Sequence, residues 1–196
     1  MTLDLSADLA DAVADAEADE SVHALVVTGT PPAFCAGANL TALGEAKEEG
    51  LRAIYEGFLA VARCKLPTIA AVGGQAVGAG LNLALAADLR FANSAARFDA
   101  RFLRLGIHPG GGMTWMLQRA VGPQQATAMT LFGEVLDAHA AAAAGLVHRV
   151  VDGDHAALVD AAVEYACATA EVRASCSSPP SAPCAPPARW RPTPKR

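Results

Sequence analysis

Between Leu66 and Ala87 the chain carries no charged residue. That run is long enough to cross a bilayer as a helix, so its internal composition decides how it is read. It contains Pro67, Gln75 and Asn82, and glycines at 73, 74, 78 and 80. Breakers at that density suit a buried strand, a turn and a buried helix better than one spanning helix. The N-terminal text MTLDLSADLADA is acidic and shows no basic segment followed by an apolar one, so it does not read as a secretory signal. The expectation is a cytoplasmic protein that does not partner a membrane.

At 196 residues the length suits one domain with or without an appendage, and 53% hydrophobic against 18% charged residues leaves ample material for a core. An amphipathic helix is predicted over 5–19, with Leu5, Leu9, Val13 and Ala16 at helical spacing. Short apolar strands are predicted at 24–28, 67–73, 89–92 and 147–151, and PPAFCAGANL reads as a loop. Helices are predicted from about Gly44 to Arg63, then at 79–87, 111–121, 123–131, 137–144 and about 155–168. Nearly all-apolar strands alternating with helices indicate an α/β fold with helix-covered sheets. After Ala170 the pattern fails. Seven of the twelve prolines lie in the last stretch, so 1–170 reads as the folded domain and 171–196 as a Pro-rich, disordered tail.

The net charge of −5 argues against a sequence-independent nucleic-acid binder. Five cysteines, odd in number and without a CxxC pair, argue against a disulfide scaffold or a zinc module, and no metal site is expected. The text that points toward chemistry is a pair of Ala/Gly turns, Phe34-Cys35-Ala36-Gly37-Ala38-Asn39-Leu40 and Gly78-Ala79-Gly80-Leu81-Asn82, each after a predicted strand. Small residues let a ligand approach the backbone, and the second turn opens a helix whose first N–H groups lack internal partners. Two such donors aimed at one spot would stabilise a developing oxyanion. Tight packing alone would also account for such turns. Cys35 has no apparent basic partner and reads as packing, while His23, His139, His148 and His155 read as solvated or structural.

The strings ALVVTGTPPAFCAGANL, LPTIAAVGGQAVGAGLNLALAADLRFA, FLRLGIHPGGGMTWMLQRAVG and AAAAGLVHRVV, in this order, resemble the crotonase (enoyl-CoA hydratase/isomerase) superfamily over about residues 3–170. The resemblance implies a spiral of ββα units, here lacking the usual first strand pair and the C-terminal helices. It implies an acyl-CoA ligand, with coenzyme A carried by the substrate and no other cofactor, and a lyase-like role in fatty acid metabolism. It also implies a homotrimer or hexamer, although the helices that build the trimer in the family are replaced here by the tail. By the same resemblance, the backbone N–H groups of Ala38 and Ala79 form the oxyanion hole. Ala36, Gly37, Asn39, Leu40, Gly78 and Gly80 then line the substrate site.

The chain departs from the family pattern where protons are transferred. A hydratase of this family uses two Glu, and the matching positions hold Asn82 and Phe102. Neither side chain exchanges a proton near neutral pH. The other groups in the matching region are Asp99, Arg101, Arg104 and His108. Asp99 and Arg101 suit a salt bridge at a strand edge, and His108 is a candidate acid/base. No Ser follows the Gly turn, which excludes the related Clp-type peptidase. Three readings therefore stand: enoyl-CoA hydratase/isomerase-like chemistry with hydration itself in doubt; a non-catalytic or decayed acyl-CoA binder; and a decarboxylase or thioesterase on the same fold.

Overall fold

The computed structural model describes residues 1–38 and 48–175. In chain order the elements are α1 (Leu3–Ala18), β1 (Leu25–Thr28), β2 (Ala33–Cys35), α2 (Glu48–Arg63), β3 (Thr68–Val72), β4 (Gln75–Val77) and α3 (Ala79–Ala86). There follow β5 (Leu89–Ala92), β6 (Arg97–Asp99), a 3-10 turn (Phe102–Leu105), α4 (Met113–Leu131), β7 (Val135–Asp137), α5 (Ala138–Ala143), β8 (Arg149–Val150) and α6 (His155–Ser175).

The strands from β1 to β6 alternate between two sheets, after which β7 joins the second and β8 the first. One has the order β1-β3-β5-β8 and the other β2-β4-β6-β7. All pairs are parallel except β6 with β7. Each of the first three turns of the chain lays one strand on the first sheet, a short strand on the second, and then a helix. This is the repeating ββα unit that the resemblance implies. The corners between the sheets are tight: a β-carbon on Gly74 would lie 2.3 Å from the Pro32 carbonyl oxygen, so only glycine lets neighbouring corners stack.

The uncharged run at 66–87 supplies β3, β4 and α3. Every residue of β3 and every residue of α3 is buried. Strand β3 has cover on both faces: Ala70 and Val72 join the main core, and Ile69 and Ala71 pack with Phe91, Leu158, Ala162 and Ala166 under α6. Apolar character on all sides thus reflects central position. Among the described residues no helix is long and apolar enough to cross a membrane.

The structure corrects several element boundaries. Strand β2 lies inside the segment read as a loop, and β4, β6 and β7 were not expected. At three residues each, they are too short to show any hydrophobic period. The buried face of α1 includes Ser6 and Val13, whereas Leu5 is 52% exposed. The helical segments expected at 111–121 and 123–131 run together as α4, which kinks at Gly122 (φ 75°) ahead of Pro123. Helix α6 continues to Ser175, five residues past the expected boundary of the tail, because Glu171 to Ser175 contains no proline to stop it. Residues 176–196 of the expected tail, and the expected helix start near Gly44, lie outside the described residues.

Candidate active site

Strands β2, β4 and β6 run parallel, so their C-terminal ends open on the same side, the usual place for a ligand in a parallel sheet. A cleft with about 690 Å³ of empty space, part of it open to solvent, lies there. Its walls come from the three segments that follow those strands. Ala36, Gly37 and Ala38 follow β2; Gly78 and Ala79 follow β4; Arg101, Phe102, Leu105 and Ile107 follow β6. Tyr55 of α2 closes the remaining side.

Glycines allow the first two segments to meet. A β-carbon on Gly80 would lie 1.9 Å from the Cys35 carbonyl oxygen, so α3 sits directly on the end of β2. Gly37 (φ +104°) leaves only 3.0 Å between its β-carbon position and the Val77 carbonyl oxygen. This contact brings Ala38 and Ala79, the two residues that the resemblance singles out, to one cleft. Ala79 is the first residue of α3, so its N–H has no partner inside the helix. Gly78 before it adopts φ 53°, donates its N–H to the Asp99 carbonyl at 2.9 Å, and accepts the Asn82 N–H at 3.0 Å. Among the described residues neither the Ala38 nor the Ala79 N–H has a hydrogen-bond acceptor. Asn39 and Leu40 lie outside the described residues.

The two positions that hold Glu in the resembled pattern differ in setting. Asn82 is fully buried; its Nδ2 donates to the Gly110 carbonyl at 3.0 Å, which leaves Oδ1 without a partner among the described residues. Only the amide nitrogen can donate to a carbonyl, so this bond fixes which way the side chain points. Phe102 is half-buried in the 3-10 turn and lines the cleft, its Cζ 3.8 Å from the β-carbon position of Gly78.

His108 is exposed and does not line the cleft, although Ile107 beside it does. Arg104 is turned away and donates to the Gly133 carbonyl at 2.5 Å. Asp99 and Arg101 form the expected ion pair, Nη2 to Oδ2 at 2.6 Å, with the carboxylate side chain 4% and the guanidinium side chain 45% exposed. Cys35 is half-buried and forms no part of the lining.

Tyr55 escaped the sequence reading because it occupies an ordinary position of an amphipathic helix. Burial pushes its phenol upward from the usual value, so it remains a protonated donor at neutral pH. Its hydroxyl lies close against Gly110: a β-carbon there would be 2.1 Å from Oη. Taken together, the described lining offers two free backbone donors, one phenol and one guanidinium on otherwise apolar walls. It contains no carboxylate or imidazole. Such a site can bind and polarise a carbonyl, but it has no group that exchanges protons easily at pH 7.

Comparison with known proteins agrees with this architecture. Residues 1–176 match the family model for enoyl-CoA hydratase/isomerase. The chain is 56% identical over 176 residues to a probable enoyl-CoA hydratase, echA14, of Mycobacterium tuberculosis, covering 88% of this chain and 69% of that protein. It is 34% identical over 171 residues to the 1,2-epoxyphenylacetyl-CoA isomerase of Escherichia coli, covering 83% and 64%. Among solved structures, an enoyl-CoA hydratase from Bacillus anthracis superposes with a TM-score of 0.79 at 31% identity, covering 87% of this chain and 67% of that one. The enoyl-CoA hydratase subunit of Geobacillus kaustophilus gives 0.74 at 34% identity, with 83% and 65% covered. The chain thus spans about two thirds of the length of these relatives.

Proposed function

The chain belongs to the enoyl-CoA hydratase/isomerase family, and from that premise we propose that it binds acyl-coenzyme A thioesters and polarises the thioester carbonyl with the N–H groups of Ala38 and Ala79. The observation that carries this reading is the meeting of those two residues in one cleft without competing acceptors among the described residues. In the ground state the two donors hold the carbonyl oxygen. As negative charge develops there, they stabilise it without reorganising, in surroundings that are mostly apolar. Coenzyme A arrives with the substrate, so the reading requires no separate cofactor.

Hydration of a trans-2-enoyl thioester needs a water to be activated and a proton to be delivered. With Asn82 and Phe102 at the Glu positions, no side chain in the described lining does either. Loss of one positioned acid/base group costs ~10²–10⁴-fold, and groups that act as a unit do not simply multiply. The reading is therefore acyl-CoA binding with carbonyl polarisation and little hydration. The decarboxylase and thioesterase alternatives remain compatible with it, because each needs the same oxyanion donors.

Calorimetric titration of the full chain with a panel of acyl-CoA thioesters tests the proposal, followed by assay of those that bind. Ala79→Pro removes one donor at the first position of a helix, where proline is tolerated. The expected result is that thioesters bind more tightly than their thioether analogues, which lack the carbonyl, and that Ala79→Pro narrows this gap several-fold. Hydration at the rate of an ordinary hydratase, or equal binding of thioester and thioether, would overturn the reading.

A further inference from the structure

Arg101 is the one non-glycine residue with positive φ (44°) among the described residues. A residue with a β-carbon is unfavourable in that conformation, so its surroundings must hold it there. Asp99 does so. Its Oδ1 accepts the Arg101 backbone N–H at 2.9 Å, and its Oδ2 accepts Nε at 2.9 Å and Nη2 at 2.6 Å. The carboxylate is buried, while the guanidinium side chain is 45% exposed, and Arg101 is the only charged residue in the described lining of the cleft.

Its place in the sheet matters as much as its charge. Val77 of β4 pairs with Asp99 of β6, and the Gly78 N–H bonds the Asp99 carbonyl. Arg101 therefore leaves its strand beside the turn that carries Ala79, two residues beyond the paired position in each case. The clamp occupies the Nε–Nη2 edge of the guanidinium, and Nη1 has no acceptor among the described residues. A planar fork braced along one edge and open at the other is suited to a second carboxylate.

We propose that Arg101 determines specificity, selecting acyl-CoA thioesters whose acyl part carries a carboxylate close to the thioester. The inference rests on the acyl-CoA reading above and narrows its substrate class to short dicarboxylic acyl groups. The phosphates of coenzyme A offer the same anionic oxygens, but the pantetheine arm separates them from the thioester, and Arg101 stands at the carbonyl end. The cleft walls around it are largely apolar, which strengthens a charge-assisted hydrogen bond there relative to one in water.

The test is calorimetric titration of the full chain with malonyl-CoA and succinyl-CoA against butyryl-CoA and pentanoyl-CoA, repeated on Arg101→Lys and Arg101→Gly. Glycine adopts positive φ without steric cost and keeps the backbone N–H for Asp99, so Arg101→Gly removes the guanidinium while retaining the turn; circular dichroism and a thermal melt check this. The dicarboxylic thioesters are expected to bind about tenfold or more tightly than the neutral ones. Arg101→Gly should reduce that preference to within about twofold, and Arg101→Lys should keep part of it. A parent chain with no preference overturns the proposal. So does an equal loss for both classes in Arg101→Gly: if the loss vanishes with the corresponding pantetheine thioesters, which carry no phosphate, the guanidinium serves a phosphate, and if it persists the clamp is only structural. Failure to bind any of the four thioesters would instead refute the acyl-CoA reading, and this inference with it.

Discussion

Asn82 occupies a position where chemistry and folding meet. Its amide is fully buried, donates to the Gly110 carbonyl, and keeps Oδ1 unpaired among the described residues. A carboxyl in its place must either keep its proton to serve that carbonyl or bury a charge against it. We therefore expect the carboxyl of Asn82→Asp to have its pKa raised in the folded state above the unfolded value of about 3.9. A group with a raised folded pKa contributes its stability below the unfolded pKa and loses it as pH rises through the folded value. The variant should melt close to the parent near pH 4 and progressively below it toward pH 7. A difference in melting temperature that stays constant over this range would contradict the account. The sequence identified Asn82 and Phe102 as departures in residue type. It did not show that one is sealed in the core while the other forms the wall of the cleft, because exposure depends on what packs against each. Tyr55 was missed for the same reason: only the approach of Gly110 distinguishes it from any other helix residue.

At the scale of elements, Arg90 ties three pieces together. Its Nε donates to the Leu146 carbonyl at 2.5 Å, and Nη1 donates to the Ala87 and Ala84 carbonyls at 2.9 and 3.4 Å. The end of α3, strand β5 and the segment between α5 and β8 thus share one side chain. Burial pushes the guanidinium down to about 10, against an opposing pull from Asp88, so it remains charged at neutral pH. Arg90→Met keeps much of the apolar volume but leaves those carbonyls without their donor, and should cost roughly 1–3 kcal/mol in denaturant unfolding. No change in the midpoint would show that water replaces the guanidinium without penalty. Legibility differed among the elements for a physical reason. Strands β1, β3 and β5 and the helices carry enough residues to show a period or an apolar run. The second sheet is built from three-residue strands whose pairing partners are distant in sequence, and nothing local marks them. The face of α1 was misjudged because Ser6, a polar residue, occupies its buried stripe. Ser6 Oγ donates toward the Ala53 and Ile54 carbonyls and accepts the Gly57 N–H at 2.8 Å, partners that only the docking of α2 supplies.

For the whole molecule, the cleft belongs to no single element: β2, β4 and β6 each send one segment to it and α2 adds a fourth wall. A ligand that bridges these segments binds the folded chain and not the unfolded one. An acyl-CoA at a hundredfold excess over its Kd should therefore add about 2.7 kcal/mol to global stability, read as a shift of the thermal melt that grows with ligand concentration. A melt insensitive to a thioester that titration shows to bind would place the ligand away from this cleft. The sequence by itself determined the α/β class, the central position of the uncharged run, the two Ala/Gly turns and the absence of Glu at two positions. These are matters of composition, local pattern and residue identity, which the chain carries wherever it goes. The tertiary structure alone decided which strands pair in each of the two sheets, that Tyr55 closes the cleft lined by Ala38 and Ala79, and that His108 stands outside it. It also decided that Asp99 holds Arg101 in a left-handed conformation at the wall of the cleft. Each of these depends on groups distant in sequence coming within hydrogen-bonding or van der Waals range, and their proximity is created only when the sheets pair and the helices pack on them.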